Sequence, residues 1–586
     1  MTWQGWLQIL IYVAVLTALT PLLGGYMARV YMGRRVALER RLLGPVERGF
    51  YRAVRTDPAH EQDWKQYGRT VLVFSALFWL ALYAILRLQG ALPFNPLQFG
   101  GAPWNVTFNT TSSFITNTNW QFYGGETTMS HLSQMAGLAV QNFVSAAVGM
   151  AVLAAVIRGF ARRETTKLGN FWVDLTRSLL YILLPISIIG TLLLVSQGVV
   201  QTFTGSVSVT TLHGFEQVLA LGPVASQIAI KQLGTNGGGF FNVNSAFPFE
   251  NASTFSNFVQ VLLILLIPAA ATYQYGRMIG RVRQGWALYV AMLLMLGIGV
   301  GNTYYNEARA TPALTAAGVH AAAGNGSTGG NLSDKEQRFG IANSALWTTA
   351  TTDASNGSVN GSHEAYSGFG GLTPLVNMMT GEVIFGGVGS GLYGMLLVVL
   401  LTVFLAGLMV GRTPEYLGKK IQAREVKLVA IGTLYMPVVV LIAAALAIAT
   451  PAGKKSIDDA GPQGFSETVY AYTSQTNNNG SAFAGYTGFV QPNAPGNGGA
   501  TGVPFADLVG GLCMLLGRFI PLLAALAVAG SLAAKRPAPA GPGTFRTDSP
   551  TFLVLLVGVV VIVAALSFLP ALALGPIVQG LTNQLF

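Results

Sequence analysis

Residues 234–251 read GTNGGGFFNVNSAFPFEN, in which Thr, Asn and three consecutive glycines follow a short apolar stretch. Three other short semi-apolar stretches of the chain also end in a polar, Asn-containing cluster. These clusters are TNTNWQ at 116–121, TTDASNG at 351–357 and NNNGS at 477–481. The spacings are 118, 120 and 123 residues when the four clusters are aligned on Asn119, Gly237, Gly357 and Gly480. Near-equal spacing over four copies predicts an internal repeat.

The composition of the 586-residue chain indicates its broad class. Hydrophobic residues make up 51% of it and charged residues only 10%, and there is one cysteine. A soluble protein carries roughly 25% charged residues, so this chain could not cover a globular surface in water. These figures exclude a disordered tail, a nucleic-acid binder and a disulfide-stapled secreted protein. A polytopic membrane protein remains, and its 71 glycines need an explanation.

Ten apolar runs are long enough to cross a bilayer as helices. They lie near 6–28, 70–90, 132–157, 171–197, 254–276, 285–303, 373–411, 427–450, 505–533 and 551–573. Lys and Arg concentrate on alternate connections, because 26 of the 34 lie within 29–69, 158–177, 277–283, 412–427 and 535–546. The positive-inside rule then places these five connections in the cytoplasm and both termini outside. Topology thus explains the net charge of +11, and no nucleic acid is expected as a partner.

The four polar clusters lie in the long outside connections near 91–131, 198–253, 304–372 and 451–504. The short helices predicted before them cover 108–115, 223–233, 341–350 and 465–476. Irregular backbone at membrane depth is tolerated only when it is buried in protein or lines a water-filled cavity. Glycine permits the close backbone approach that a carbonyl-lined ion filter needs. Asp353 is the only carboxylate in the clusters, which favours carbonyl coordination of a monovalent cation. Ordinary extracellular turns are the alternative.

The apolar run at 372–410 is too long for one straight span, and it contains GGVGSGLYG at 386–394. Glycine costs about 1 kcal/mol relative to alanine inside a helix, so we predict a broken helix of the kind that marks ion paths in transporters. Glu382 precedes the break and could act there functionally or cap the broken end. Close helix packing is the alternative explanation for the glycines. The glycines assigned to the break are Gly386, Gly387, Gly389 and Gly391.

Several longer motifs are specific enough to indicate a family. They are TNTNWQ at 116–121, QMAGLAVQNF at 134–143, GTNGGGFFNVNSAFPFEN at 234–251, GEVIFGGVGSGLYG at 381–394, GRTPEYLGKKI at 411–421 and NNNGSAFAG at 477–485. From about residue 6 to the C-terminus, the chain resembles the potassium-binding A subunits of the bacterial Kdp potassium-transporting P-type ATPases. This family is similar to potassium channels and to the wider superfamily of four-repeat potassium transporters. The resemblance implies an all-α polytopic membrane protein with ten transmembrane helices and four membrane-pore-membrane repeats around a pseudo-fourfold pore.

The repeats suggest a division of the chain into six parts. Residues 1–69 would hold the first transmembrane helix and the basic cytoplasmic loop, and 537–586 the C-terminal transmembrane helix. The pore repeats between them would be 70–163, 164–283, 284–424 with the broken helix, and 425–536.

The resemblance implies that the four clusters form a K⁺ selectivity filter facing outside. The implied filter residues are Thr116, Asn117, Thr118, Asn119, Gln121, Thr235, Asn236, Gly237, Gly238, Gly239, Ser355, Asn356, Gly357, Asn478, Asn479 and Gly480. The third cluster departs from the family pattern at Asp353 and Asn356. Trp120 and Gln121 are expected to hold the first cluster in place, or Gln121 could line the pore entrance. The broken helix is implied to be a gate or intramembrane loop that steers potassium towards the ATPase subunit.

The resemblance also implies what this chain works with. K⁺ is the transported ion and the only expected metal, no organic cofactor is expected, and ATP and Mg²⁺ would be used by a partner P-type ATPase subunit alone. Small accessory membrane subunits and membrane lipids are further expected partners. The sequence has no DKTGT motif and no GxxxxGK[ST] loop, which agrees with a transport subunit that has no catalytic site.

The expected location is the bacterial cytoplasmic (inner) membrane. Two other functions compete with this interpretation. An autonomous potassium channel or a secondary K⁺ symporter with the same four-repeat pore is the alternative. A membrane enzyme is disfavoured, because the sequence suggests no nucleophile-base pair and no multi-ligand metal site.

Overall fold

The computed structural model describes residues 1–34, 41–324, 329–488, 504–538 and 545–582. Arg35 and Arg40 of the first basic connection, and 489–503 of the fourth outside connection, lie outside these ranges. Sixteen helices of at least ten residues account for most of the described chain. In order they are α1 (Trp3–Tyr31), α2 (Gly44–Ala53), α3 (Trp64–Ala91), α4 (Trp104–Ile115), α5 (Ser133–Ala161), α6 (Phe171–Ser196), α7 (Val224–Leu233), α8 (Thr254–Met278), α9 (Val282–Glu307), α10 (Gly340–Asp353), α11 (Gly368–Met379), α12 (Ser390–Val410), α13 (Ala423–Ala449), α14 (Gly461–Asn477), α15 (Pro504–Ala533) and α16 (Pro550–Thr582).

Ten of these helices are long and apolar enough to cross a membrane, which confirms the predicted number. They are α1, α3, α5, α6, α8, α9, α12, α13, α15 and α16. The chain is therefore an all-α, multi-pass membrane protein. Several spans begin at capping boxes that satisfy the free N–H groups of a first helical turn. The Asp63 carboxylate accepts from the N–H groups of Lys65 and Gln66 at the start of α3, and Ser253 does the same for Ser256 in α8.

The strands of the described residues are short and belong to three antiparallel pairs. The pairs are β1 (Gln62–Asp63) with β2 (Lys167–Gly169), β3 (Val207–Thr210) with β4 (Glu216–Leu219), and β5 (Glu415–Tyr416) with β6 (Lys419–Lys420). The short helical pieces are Gly125–Thr128, Asn244–Ala246, Pro312–Ala316 and Pro451–Lys454.

The basic connections contact one another at one end of the helix bundle. β1 of the first connection pairs with β2 of the second. Lys419 of the fourth donates to the carbonyl oxygens of Gly159 and Phe160 at the end of α5, both at 2.9 Å. Gln284, beside the third, donates to Thr547, beside the fifth, at 2.6 Å. The connections that carry most of the positive charge therefore share one side of the molecule.

Four shorter helices, α4, α7, α10 and α14, lie inside the ring of spans and precede the polar clusters. Nearly all of their side chains are buried, including a high share of Ser, Thr, Asn and Gln. Their bounds lie within four residues of the predicted ranges. Each helix therefore needs protein neighbours for its polar side chains, which membrane lipid could not supply.

The apolar run at 372–410 is interrupted, but earlier than the sequence suggested. α11 ends at Met379 and α12 begins at Ser390, so the non-helical segment is 380–389 and not 386–394. Gly391 was wrongly assigned to the break, because it lies in the first turn of α12. A Cβ at Gly391 would lie 2.0 Å from the carbonyl oxygen of Phe385. Gly391 therefore allows the broken segment to pack closely against the start of α12. At this position the glycine is explained by close packing and not by a break in the helix.

Candidate ion-selectivity site

The four polar clusters share one unusual backbone conformation. We call their cores loop 1 (116–121), loop 2 (234–239), loop 3 (354–357) and loop 4 (478–481). Each loop contains two residues with positive φ, separated by one residue. A non-glycine residue at positive φ is uncommon, yet five of these eight positions are not glycine. The angles are 69° and 54° at Asn117 and Asn119, 46° and 93° at Thr235 and Gly237, 53° and 83° at Ser355 and Gly357, and 61° and 101° at Asn478 and Gly480.

The second left-handed residue of each pair is the one on which the sequence repeat was aligned. The spacing of the repeat therefore corresponds to equivalent backbone positions in all four loops. The departures at Asp353 and Asn356 do not alter this conformation in loop 3. Asp353 is the last residue of α10 and lies outside the loop, and the Asn356 carboxamide oxygen accepts from the Ser358 N–H at 3.0 Å.

The loops contact each other in a closed ring that follows chain order. A side-chain hydrogen bond crosses each boundary: Asn117 Nδ2 to Thr235 O (2.7 Å), Asn356 Nδ2 to Lys231 O at the end of α7 (3.2 Å), Ser355 Oγ to Asn478 O (2.9 Å), and Asn478 Nδ2 to Thr118 Oγ1 (2.9 Å). All the sequence-predicted filter residues lie in or against this ring. The side chains of Asn and Ser thus hold neighbouring segments together, at a backbone carbonyl in three cases and at the Thr118 hydroxyl in the fourth.

Equivalent carbonyl groups contact the next loop at three of the four boundaries. A Cβ on Gly237 would lie 1.7 Å from Asn356 O, and one on Gly357 would lie 2.3 Å from Asn479 O. A Cβ on Gly480 would lie 2.0 Å from Thr118 O. Only glycine allows this approach, and the repetition of one contact indicates pseudo-fourfold symmetry.

The carbonyl oxygens at these equivalent positions are available to a ligand. They belong to Thr118, Asn236, Asn356 and Asn479, which are all 0% exposed. No hydrogen bond from the described residues reaches any of the four oxygens. Buried carbonyl groups normally have a hydrogen-bond partner. Four equivalent carbonyl oxygens without one form a set that can replace the hydration shell of a cation.

Cavities lie on both faces of the ring. The cavity on one face has a volume of about 620 Å³, and its lining includes Asn119, Gly237, Gly357 and Gly480. The cavity on the other face has a volume of about 90 Å³, and its lining includes Glu382, Gly387, Ser390, Asn478 and Arg518. We call them the outer cavity and the inner cavity. The ring of loops separates the two.

Gln121 joins loops 1 and 2 at the outer cavity. Its Nε2 donates to Gly239 O, and its Oε1 accepts from Gly239 N–H, both at 3.1 Å. Gln121 also lines the outer cavity. Trp120 is buried and packs edge-on against Phe122, with ring centroids 5.3 Å apart.

His363 also lines the outer cavity. Burial and the nearby charge of Lys335 lower the pKa of His363 to about 3. Its Nδ1 lies 2.8 Å from the Tyr470 hydroxyl. The imidazole is therefore neutral at physiological pH and adds no positive charge to the cavity.

A buried ion pair stands directly behind loop 2. Lys231 Nζ lies 2.6 Å from Glu250 Oε2, and both side chains are fully buried. Lys231 also donates to Asn244 Oδ1 at 2.7 Å, and Asn244 Nδ2 donates to Gly237 O at 2.7 Å. A Cβ on Gly239 would lie 2.5 Å from the Glu250 carboxylate. This network therefore holds the backbone of loop 2 from behind.

The sequence interpretation missed Lys231, Asn244 and Glu250. A signal was present, because Lys231 is a lone cation in the apolar stretch VASQIAIKQL of an outside connection that is otherwise poor in basic residues. An ionisable residue in such a setting needs a partner.

The broken segment 380–389 is attached directly to the ring. Gly386 N–H donates to Asp353 O at 2.9 Å, and Val388 N–H donates to Thr235 Oγ1 at 2.9 Å. A Cβ on Gly387 would lie 3.2 Å from the Cβ of Ser355. The broken segment is therefore hydrogen-bonded to loop 2 and lies directly against loop 3.

Glu382 lies within the broken segment and does not cap a helix. Both oxygens of its carboxylate are buried, and no hydrogen bond of good geometry reaches either of them. Ser355 and Asn479 of the ring lie next to it. The two oxygens of Asp353 are likewise buried and without a hydrogen-bond partner. Of these two carboxyl groups, Glu382 lines the inner cavity.

Comparisons with known proteins identify relatives over the full length of the chain. The profile of the family described as potassium-transporting ATPase A subunit matches residues 10–581. The potassium-transporting ATPase potassium-binding subunit of Rhodospirillum centenum is 55% identical over 99% of this chain and 98% of its own. The protein of the same name from Sorangium cellulosum is 53% identical over 99% of both chains. Among solved structures, the potassium transporter TrkH from Vibrio parahaemolyticus aligns with a TM-score of 0.48 and 16% identity, over 89% of this chain and 96% of that one.

The profile match spans nearly the whole chain, and these relatives are more than half identical from end to end. The chain belongs to the potassium-transporting ATPase A subunit family.

Proposed function

We propose that this chain binds K⁺ from outside the cell, selects it with the carbonyl oxygens of the four-loop ring, and delivers it to a partner P-type ATPase subunit. The observation that carries this proposal is the set of four equivalent, buried carbonyl oxygens without hydrogen-bond partners, between two cavities. Oxygens in such a ring compensate for the water that a weakly hydrated monovalent cation loses. The names of the relatives, potassium-binding subunits, support K⁺ as that ion.

Uphill transport requires a barrier below the binding site, because an open pore would dissipate the gradient that ATP hydrolysis creates. We assign the barrier to the broken segment 380–389, which touches the ring and lines the inner cavity together with Arg518. Glu382, which lines the inner cavity, would contact the cation after it leaves the ring. From the inner cavity, K⁺ would pass sideways to the partner subunit.

The remaining parts of the proposal concern the surroundings of the chain. ATP and Mg²⁺ are used by the partner subunit, no organic cofactor is bound here, and small accessory membrane subunits complete the complex. The chain lies in the bacterial cytoplasmic (inner) membrane with both termini outside, because the basic connections share one side and the positive-inside rule makes that side cytoplasmic.

Reconstitution of the purified chain tests the proposal against the channel and symporter alternatives. We expect liposomes that contain this chain alone to show little passive K⁺ flux, and ATP-driven K⁺ transport to need the P-type ATPase partner. Rapid K⁺ flux through the chain alone, without partner or ATP, would show an autonomous pathway and contradict the pump-subunit proposal.

Substitution of Gly389 tests the role of the broken segment. Gly389 has a φ of 87°, and its Cβ would lie 2.1 Å from the carbonyl oxygen of Gly149 in α5. We expect Gly389→Ala to reduce the K⁺ transport rate of the assembled complex by roughly tenfold or more, because left-handed strain and this contact together cost at least ~1–3 kcal/mol. K⁺ affinity, measured by equilibrium binding, should change far less. Gly394→Ala is the control, since its Cβ makes only an ordinary contact at 3.5 Å. A large affinity loss with a normal rate in Gly389→Ala would contradict the gate role.

A further inference from the structure

Three carboxylates from separate parts of the chain converge close to loop 4. One oxygen from each of Glu364, Asp459 and Glu467 lies within 4.8 Å of the other two. Glu364 follows loop 3, Asp459 precedes α14, and Glu467 is in α14, the helix that leads into loop 4. The ion pairs of the described residues include none of the three. We call this group the acidic triad.

Within the described part of the chain, no N–H group or hydroxyl donates to one buried oxygen of the triad. Glu467 is 0% exposed, and its Oε1 accepts no hydrogen bond, whereas its Oε2 accepts from the Asp458 N–H at 3.2 Å. Gly485 leaves room at this oxygen, because a Cβ there would lie 2.5 Å from it. A buried carboxylate oxygen without a hydrogen-bond donor needs either a proton or a positive partner.

Glu364 is held in a fixed position within the triad. Its Oε1 accepts from Gln463 Nε2 and its Oε2 from the Gly485 N–H, both at 2.6 Å. Three oriented carboxylates with this little neutralising charge form a site that either shares protons or binds a cation.

We propose that the acidic triad binds one divalent cation of the Ca²⁺ class. The triad offers only hard oxygen ligands, and neither His nor Cys is part of it, which disfavours Zn²⁺. Ca²⁺ accepts several carboxylates in irregular geometry, whereas Mg²⁺ usually keeps most of its waters and few protein carboxylates. The proposed topology places the triad outside the cell. The sequence-based expectation of K⁺ as the only metal did not include this site, because its ligands lie about 100 residues apart.

A cation at the triad would connect loops 3 and 4. His363, next to Glu364, and Tyr486, next to Gly485, both line the outer cavity. Bound Ca²⁺ would therefore fix the connection that follows loop 3 to the helix that precedes loop 4, at the edge of the outer cavity. The site is separate from the ring oxygens, so its existence does not depend on how K⁺ is selected.

Thermal unfolding of the purified full-length protein, with its co-purifying subunits, tests the proposal. We expect Ca²⁺ at about 1–10 mM to raise the unfolding temperature by a few degrees relative to the protein in EDTA. This concentration exceeds the dissociation constants of extracellular calcium modules, which are on the order of 0.1–1 mM. Mg²⁺ at the same concentration should have a smaller effect. Glu467→Gln should abolish the Ca²⁺-dependent rise, and Asp459→Asn serves as a second variant at a partly exposed position.

Asp458→Asn is the matched control, because it removes the same charge one residue from Asp459 at an exposed side chain outside the triad. It should retain the Ca²⁺-dependent rise. Equilibrium dialysis with radioactive Ca²⁺ should count one site per chain in the wild type that both triad variants lack. No Ca²⁺-dependent rise in the wild type, or an equal rise in the triad variants, would overturn the proposal and favour a shared proton. K⁺ binding by the wild type in EDTA is measured in parallel, and it tests the proposed function independently.

Discussion

Gly237→Asp is expected to weaken K⁺ binding by about a hundredfold or more and to reduce discrimination against Rb⁺ and Na⁺. Gly237 has a φ of 93°, and its Cβ would lie 1.7 Å from Asn356 O, one of the four ring oxygens. Left-handed strain alone costs ~1–3 kcal/mol, and each 1.4 kcal/mol is about tenfold in affinity. The side chain would also have to displace loop 3, which changes the spacing of the oxygens on which selectivity depends.

Gly238→Asp should act in the same direction, because its Cβ would lie 2.8 Å from the Asn119 carbonyl oxygen. Equilibrium binding and competition between K⁺, Rb⁺ and Na⁺ measure both effects. Gly214→Asp is the matched control: Gly214 also has a positive φ of 80°, but its Cβ would meet nothing within 4 Å. Wild-type affinity and ion preference in both loop 2 variants would refute the assignment of loop 2 to the filter.

Lys231→Met is expected to destabilise the protein by about 3–5 kcal/mol, the usual effect of leaving one partner of a buried ion pair uncompensated. Lys231 and Glu250 are both fully buried and 2.6 Å apart. The Asn244 side chain would lose its bond to Lys231 and hold Gly237 O less firmly. Ion preference should therefore weaken together with stability.

The double variant Lys231→Met/Glu250→Gln separates charge burial from positioning. It removes the uncompensated carboxylate, so we expect it to recover much of the lost stability while ion preference stays impaired. Chemical denaturation in detergent and cation competition are the two measurements. Arg546→Met is the control, since the Arg546 side chain is 72% exposed and its pair with Asp548 at 3.4 Å should contribute below about 1 kcal/mol. Normal stability and ion preference in Lys231→Met would contradict the bracing role.

The sequence predicted the elements of the fold because hydropathy and spacing are properties of consecutive residues. All ten spans were found, and the repeat spacing of 118, 120 and 123 residues identified equivalent left-handed positions in four loops. The bounds of the short helices before the loops were close to those observed. The position of the broken helix was wrong by several residues, since glycine at Gly391 permits a close backbone contact inside a helix as readily as it permits a break.

The tertiary structure alone decided how these elements meet. Closure of the ring depends on contacts such as Asn478 with Thr118, which are 360 residues apart in the sequence. Three other features also depend on contacts that only the tertiary structure shows. They are the bracing of loop 2 by Glu250, the attachment of the broken segment to Asp353 and Thr235, and the convergence of the acidic triad. The spans and repeats of a membrane protein can be recognised from local composition. Each transmembrane helix must form its own backbone hydrogen bonds and have side chains that suit the apolar bilayer. Which buried polar groups become partners depends on the packing of distant segments, and no local pattern specifies that.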